Sequence, residues 1–357
     1  MKKIVSIVGA RPQFVKAAVV SRQWASMSDV QEVLVHTGQH FDDNMSELFF
    51  REMSIPQPKY NLGVNNLENA DMTSLMMERL EPVLLQEKPD FVVVFGDTNS
   101  TLAGARTAKN LSIKLAHVES GLRSYNMEMP EEHNRMETDH LSDVLFCPTQ
   151  TAVENLQKEN IDNQKNKIVL SGDVMYDAAL FYAASARKPQ LDLAREFLLA
   201  SVHRAENTNH PEALLSIFAA LETLAQDRQL VLPLHPRTRA KLAELSYDFD
   251  HSSITFIAPV GYFEMLYLLQ HCRLVLTDSG GLQKEAYFFG KQCVTLRNET
   301  EWVELVQQGV NVLAGTIKEK IIHCVQQSLS QQMTFPSSLY GDGHAAEKIT
   351  KTLSLLM

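Results

Sequence analysis

The chain lacks both common nucleotide-binding fingerprints. Its first predicted strand is followed by Gly9-Ala10-Arg11-Pro12, which is not G-x-G-x-x-G, and no G-x-x-x-x-G-K-[ST] occurs, so neither a nicotinamide site nor a P-loop is expected. Cysteine is scarce: the four residues Cys147, Cys272, Cys293 and Cys324 form no C-x-x-C pair, which excludes a zinc ribbon and a disulfide framework and suits a reducing cytoplasm. Basic residues are in deficit, with 33 Lys and Arg against 43 Asp and Glu and a formal net charge of −10. That balance argues against nucleic-acid and membrane-surface partners, and an anionic ligand must be held by local groups. Apolar runs are short as well. None approaches the ~20 residues of a membrane span, and the stretch before Arg11-Pro12 is shorter than a signal peptide requires. No repeat of solenoid period and no low-complexity tract is found. No metal and no cofactor is expected.

What is present is an ordinary globular composition, 45% hydrophobic and 21% charged over 357 residues, long enough for two domains. Short β-branched runs alternate with helix-like segments throughout. Strands are predicted at 3–8, 32–35, 91–95, 114–117, 144–146 and 168–170, then at 197–202, 230–234, 254–257, 274–277 and 292–295. Helices are predicted at 12–25, 73–86, 211–226, 262–272 and 281–289. The expected architecture is α/β, two Rossmann-like doubly wound domains facing an interdomain cleft, divided as 1–171 and 172–341. A short amphipathic helix at 342–357 follows a Gly-Asp-Gly turn and can pack on either domain, back on the first among them.

Open parallel sheets bind ligands outside the carboxyl ends of their strands, and here those ends are polar. In the first half they read Gly9-Ala10-Arg11-Pro12-Gln13, His36-Thr37-Gly38-Gln39-His40, Gly96-Asp97-Thr98-Asn99-Ser100 and His117-Val118-Glu119-Ser120-Gly121-Leu122-Arg123. In the second half they read His203-Arg204-Ala205-Glu206-Asn207, His235-Pro236-Arg237, Asp278-Ser279-Gly280-Gly281 and Arg297-Asn298-Glu299-Thr300-Glu301. Each has a bland reading. Asp97 suits a helix N-cap before 98–111, Glu131-Glu132 suits the acidic first turn of a helix, and His235 suits a satisfied loop histidine. Ser279-Gly280-Gly281, between a strand and a helix, is more specific, because glycines admit an anion close to unpaired N–H groups. Glu285 follows on that helix, where a carboxylate can accept from both ribose hydroxyls; the bland alternative is a glycine turn with a surface Glu. A protease reading of Asp-Ser-Gly-Gly is set aside because the preceding glycine is missing. Metal binding by His36, His40 and Asp97 has no H-E-x-x-H or dense cluster behind it.

Taken in order, Gly-Ala-Arg-Pro-Gln at 9–13, His-Thr-Gly-Gln-His at 36–40, Gly-Asp-Thr-Asn-Ser-Thr at 96–101, His-Val-Glu-Ser-Gly-Leu-Arg at 117–123, Pro-Glu-Glu-His-Asn-Arg at 130–135, His-Arg-Ala-Glu-Asn at 203–207 and Thr-Asp-Ser-Gly-Gly-Leu-Gln-Lys-Glu at 277–285 resemble one family. It is the non-hydrolysing UDP-N-acetylglucosamine 2-epimerases, which share the two-domain fold of GT-B glycosyltransferases. The match runs nearly the whole chain; Ser120 stands where alanine is usual and His133 where alanine or an apolar residue is common. The stretch 295–305, with Trp302 at its centre, looks more like the branch acting on UDP-2,3-diacetamido-2,3-dideoxy-α-D-glucuronate for bacterial surface polysaccharide.

The resemblance implies an isomerase that binds a UDP-sugar, needs no cofactor and forms a homodimer. Its catalytic carboxylates fall on Asp97, Glu119 and Glu131. Arg11 and His203, with the Ser279, Gly280 and Gly281 amides, would stabilise charge on the diphosphate, and Glu285 would hold the ribose. His40, Arg135 and His235 would be further binding residues. C2 of a 2-acetamido sugar is not beside a carbonyl, so direct proton removal is unfavourable, and no nicotinamide site supports transient oxidation. Elimination of UDP to a glycal, followed by re-addition, is the expected route. A hydrolysing epimerase, a GT-B glycosyltransferase and a nucleotide-sugar-binding regulatory protein are the alternatives.

Overall fold

The computed structural model describes residues 1–39, 53, 55–161, 165–336 and 338–357. His40 therefore lies outside the described residues. The chain divides into two compact units, Met1–Ala178 with Ser337–Met357, and Ala179–Pro336.

In the first unit the strands are β1 (Lys2–Val8), β2 (Val30–His36), β3 (Tyr60–Asn61), β4 (Phe91–Phe95), β5 (Lys114–Val118), β6 (Val144–Cys147) and β7 (Lys167–Leu170). They pair in parallel in the order β3-β2-β1-β4-β5-β6-β7. Between them run α1 (Arg11–Ala25), α2 (Asn69–Glu87), α3 (Asn99–Asn110), α4 (Pro130–Leu141), α5 (Gln150–Lys158) and, across the division between the units, α6 (Val174–Tyr182). Every residue of β4, Phe-Val-Val-Val-Phe, is buried, as a parallel strand covered on both faces requires. One face carries Val5, Ile7, Val33, Val35, Val92 and Val94 against Met76, Leu80 and Leu84 of α2 and Ala103 of α3. Each large side chain so buried contributes roughly 1.5–3 kcal/mol. The C-terminal helix Ala345–Leu356 joins this unit: Asp177 accepts from the Ala345 and Ala346 N–H groups at 3.1 and 2.8 Å, capping the start of the helix.

The second unit contains β8 (Leu198–Ser201), β9 (Leu230–Pro233), β10 (Thr255–Ile257), β11 (Leu274–Thr277), β12 (Cys293–Thr295) and β13 (Asn311–Leu313). Their order is β10-β9-β8-β11-β12-β13, again parallel. The helices are α7 (Ala205–Thr208), α8 (Pro211–Ala225), α9 (Pro236–Glu244), α10 (Tyr262–His271), α11 (Gly280–Phe288), α12 (Val303–Gln307) and α13 (Lys318–Ser330). The period of two sorts the strand residues between faces. Leu198, Ala200, Leu274 and Leu276 meet Ile217 and Phe218 of α8 and Ile321 of α13, while Leu199 and Val275 meet Leu268 of α10 and Leu282 of α11.

Two strands escape the sequence reading, β3 and β13, at two and three residues. The helix predicted to begin at 73 begins at Asn69, because its first turn is polar and shows no apolar period. The N-cap of α3 is Thr98, whose side chain accepts from the Thr101 N–H, so Asp97 is not the cap.

Candidate active site

Each sheet reverses its order once, between β1 and β4 in the first unit and between β8 and β11 in the second. Such switch points open a crevice at the strand ends.

In the first unit, the turn after β1 is braced from within. Gln13 Oε1 accepts from the Gly9 and Ala10 N–H groups at 2.7 and 3.0 Å, and its Nε2 donates to the Phe95 carbonyl at 2.8 Å. Thr37 and Ser100 hydroxyls bond to each other at 2.8 Å, and a Cβ on Gly9 would come within 2.1 Å of both. Only glycine allows that approach. These motif polar residues therefore tie β1, β2 and β4 together, and Arg11 stands half-buried at the head of α1, whose first turn holds no acid.

Strands β4 and β5 end level, Phe95 opposite Val118, and the Gly96 N–H donates to the Val118 carbonyl at 3.0 Å. This register sets the turn carrying Asp97 beside the turn carrying Glu119. Asp97 accepts from Arg135 of α4 at 2.5 Å, and Arg135 also pairs with Glu132. Glu119 pairs with Lys16 of α1, both side chains being buried. The pair lies against Gly96, whose added Cβ would be 3.1 Å from Lys16 Nζ and 3.5 Å from Glu119 Oε1. Glu119 is held at φ 73°, a left-handed conformation rare outside glycine, and the Phe146 carbonyl accepts from both the Glu119 and Ser120 N–H groups. Strain of this sort costs roughly 1–3 kcal/mol and concentrates at functional sites. Glu131 occupies the first turn of α4, half-buried, while Glu132 is fully buried and accepts from the Ser124 and Tyr125 amides. The acidic pair thus divides its work: Glu132 braces the loop, and Glu131 stays accessible.

Sequence reasoning named Glu132 only as an acid of a helix first turn, which it is, and did not single out Lys16. Lys16 left one signal, a cation inside the otherwise apolar stretch Phe14 to Val20. His36 is buried against the Phe14 ring, 5.2 Å between centroids, with Nδ1 3.4 Å from Asn61 Oδ1. Burial lowers its pKa, which marks a packed core histidine.

In the second unit, Asp278 bridges the switch point. Its buried carboxylate accepts from the His203 and Arg204 N–H groups, each at 3.1 Å, and from Asn207 Nδ2 at 3.0 Å. His203 is thereby fixed at the end of β8, and its ring lies 5.8 Å from that of His235. His235 is exposed and caps α9, its Nδ1 accepting from the Arg237 N–H at 3.2 Å, so the satisfied-histidine reading describes its own contacts. Ser279 caps α11, whose first turn contains no acid. Gly280 packs against Glu301, 2.2 Å from where a Cβ would be, whereas Gly281 has nothing within 4 Å. The first is a packing glycine and the second opens the helix start. Glu301 is itself held by Arg297 at 3.0 Å. Glu285 is buried on α11; desolvation, then the Glu285 carboxylate, push the Tyr262 phenol well above its usual range.

Two doubly wound parallel sheets, with carboxylates after β4 and β5 and a glycine-opened helix start after β11, fit the GT-B-like fold of enzymes that handle nucleotide sugars. Comparison with known proteins narrows this. The family model for UDP-N-acetylglucosamine 2-epimerase matches residues 22–354. A Pseudomonas aeruginosa protein named UDP-2,3-diacetamido-2,3-dideoxy-D-glucuronate 2-epimerase is 50% identical over 99% of this chain and 100% of its own. The Escherichia coli K12 UDP-N-acetylglucosamine 2-epimerase is 32% identical over 98% of each. The crystal structure of Methanocaldococcus jannaschii UDP-GlcNAc 2-epimerase, in complex with UDP-GlcNAc and UDP, superposes with a TM-score of 0.92 at 38% identity, covering 99% of this chain and 100% of that one. The chain belongs to the UDP-N-acetylglucosamine 2-epimerase family, and it is a UDP-sugar 2-epimerase, an isomerase. Among the described residues no helix is long and apolar enough to cross a membrane.

Proposed function

We propose that the chain inverts C2 of UDP-2,3-diacetamido-2,3-dideoxy-α-D-glucuronate, giving the manno form for bacterial surface polysaccharide, in the cytoplasm and as a homodimer. The observation that carries the substrate is the identity gap: 50% to the Pseudomonas aeruginosa protein of that name against 38% to the Methanocaldococcus jannaschii UDP-GlcNAc enzyme and 32% to the Escherichia coli one. UDP-N-acetylglucosamine is the second reading, favoured by the 38% identical archaeal structure.

In the first half-reaction a carboxylate removes the C2 proton while the C1–O bond breaks, its electron pair leaving with UDP as the C1–C2 double bond of the glycal forms. In the second, a proton is delivered to the opposite face of C2 and a β-phosphate oxygen of UDP attacks C1. Asp97, Glu119 and Glu131 share these two transfers. Their support is positional, two of the three standing at the ends of adjacent strands and each facing a cation. Arg11, His203 and the amides at Ser279, Gly280 and Gly281 take up charge on the diphosphate. Glu285 holds the ribose, and His40, Arg135 and His235 belong to the binding surface, Arg135 by aligning Asp97. No metal or cofactor enters this scheme.

One experiment tests substrate and route together: proton NMR in deuterated water, with each of the two nucleotide sugars supplied in turn. The expected result is deuterium at C2 of the product and a kcat/KM at least ~10²-fold higher for the diacetamido-glucuronate, since an unmatched polar or charged site costs a few kcal/mol. Equal efficiencies, or a preference for UDP-N-acetylglucosamine, would shift the substrate to the second reading. Epimerisation with the C2 hydrogen retained would defeat the elimination route.

A further inference from the structure

His117 is the penultimate residue of β5, two residues before Glu119, and is fully buried. Its Nε2 is 2.7 Å from the Gly96 carbonyl oxygen, and its Nδ1 is 2.7 Å from Asp139 Oδ1 of α4. A carbonyl oxygen only accepts, so Nε2 carries a proton. Asp139 in turn accepts through Oδ2 from the Gly121 N–H at 3.0 Å and from Arg123 at 2.7 Å. The rest of the Arg123 fork grips Glu159 in a bidentate pair at 2.6 and 2.8 Å. The Arg123 guanidinium bonded to Oδ2 favours the carboxylate anion of Asp139, and an anion needs a proton on the nitrogen facing it. Burial by itself raises the Asp139 carboxyl, but His117 and Arg123 outweigh it and hold it below the usual carboxylate range. Of the other titratable groups around this cluster, Cys147 on β6 is pushed up to about 12, first by burial. Asp97 and Glu119 on the two turns face Arg135 and Lys16.

We propose, on the reading of the active site given above, that His117 is a positioning residue acting as a doubly protonated imidazolium, which ties the turn bearing Asp97 to the turn bearing Glu119. Its one face holds the Gly96 carbonyl, the residue before Asp97. Its other face holds Asp139, which fixes Gly121 and Arg123 just beyond Glu119. The chain His117, Asp139, Arg123, Glu159 alternates in charge and sums to zero, so burying it leaves no net charge uncompensated. A ring with one proton would release either the carbonyl or the carboxylate, and a buried acceptor left unpaired is costly. Both turns would then gain freedom. Proton transfer at opposite faces of one carbon needs both carboxylates within hydrogen-bond reach, and a misplacement of about 1 Å costs on the order of 10²-fold in rate.

The test combines a protonation readout with kinetics on the full chain. In ¹⁵N-histidine-labelled protein at pH 7.5, the signal lost in His117→Gln is expected to show both ring nitrogens protonated. In Asp139→Asn, which leaves His117 in place, that ring is expected to lose one proton. Both variants are expected to lose ~10²-fold in kcat with KM for the UDP-sugar changed by less than about threefold, and to keep the far-ultraviolet circular dichroism of the parent. If His117→Gln fails to fold, Asp139→Asn with His117 assigned through the Gly96 contact supplies the same two readouts. A singly protonated ring in the parent protein, or parental kcat in either variant, would overturn the proposal. A chain that shows the imidazolium but epimerises neither UDP-sugar would instead overturn the functional reading, and the positioning role with it.

Discussion

Asp97 and Glu119 each face a cation, and the two cations come from different helices: Arg135 from α4 and Lys16 from α1. A base that must pass a proton to carbon and take it back needs a fixed orientation more than a strong intrinsic basicity, and an ion pair with a helix-borne cation supplies it. We predict that Asp97→Asn, Glu119→Gln and Glu131→Gln each lower kcat by ~10²–10⁴ with an unchanged circular dichroism spectrum. Near-parental turnover in any of them, measured by steady-state kinetics, would remove that residue from the mechanism. Glu132→Gln belongs to another category, since Glu132 is buried and serves two amides and Arg135; its Tm should fall together with its activity. Asp97 and Glu119 were visible in the sequence because polar residues directly after an apolar run stand out. Lys16 left only the signal of a cation within an apolar stretch, and its partner Glu119 lies 103 residues away, so nothing local named the pair.

At the level of elements, the start of α11 separates two glycines that look equivalent in sequence. Gly280 is buried against Glu301 and Gly281 is open. A valine at 280 would drive its Cβ into the Arg297–Glu301 pair and should cost ~1–3 kcal/mol, the usual penalty of overpacking. A valine at 281 should leave Tm within about 1 °C of the parent yet weaken UDP binding, because its side chain covers the N–H groups that an anion approaches. Thermal denaturation and calorimetric titration with UDP read the two effects separately; equal UDP affinity in Gly281→Val and the parent would remove this helix start from the diphosphate site. The element reading from sequence was sound wherever a run was long and apolar, as at 91–95 and 274–277, which are found with those bounds. It missed β3, where two residues display no period, and β13, whose apolar run is broken by Asn311. The β3 edge is fixed instead by side chains from outside it, with the Tyr60 hydroxyl donating to Glu87 at 2.6 Å at the end of α2.

For the molecule as a whole, Glu87 also links acid stability to the fold. It accepts from Lys59 at 2.6 Å, Tyr60 at 2.6 Å and Lys3 at 3.0 Å, so its carboxyl is lowered from 4.5 to about 2, with Lys59 the largest cause, then Tyr60 and Lys3. A carboxyl whose folded pKa lies below its unfolded one contributes stability that is complete above the unfolded value and is lost as pH falls toward the folded one. The Tm difference between the parent and Glu87→Gln is therefore expected to be constant from pH 8 to about 6 and to shrink between about 5 and 2; a difference that does not change with pH would contradict it. The sequence alone determined that this is an α/β chain with chemistry at its strand ends, because hydrophobic period and the polar residue that ends each run are local properties. Only the tertiary structure decided which of those polar residues hold the fold's own turns and which pair with a cation at the strand ends. Gln13, Thr37, Ser100, Glu132, Asp139 and Asp278 all turn inward to hold turns, while Asp97 and Glu119 are left at the ends of adjacent strands. The physical reason is that the partner of a buried polar group is chosen by strand order and register, which bring together residues remote in the chain, and a single sequence carries no local trace of that choice.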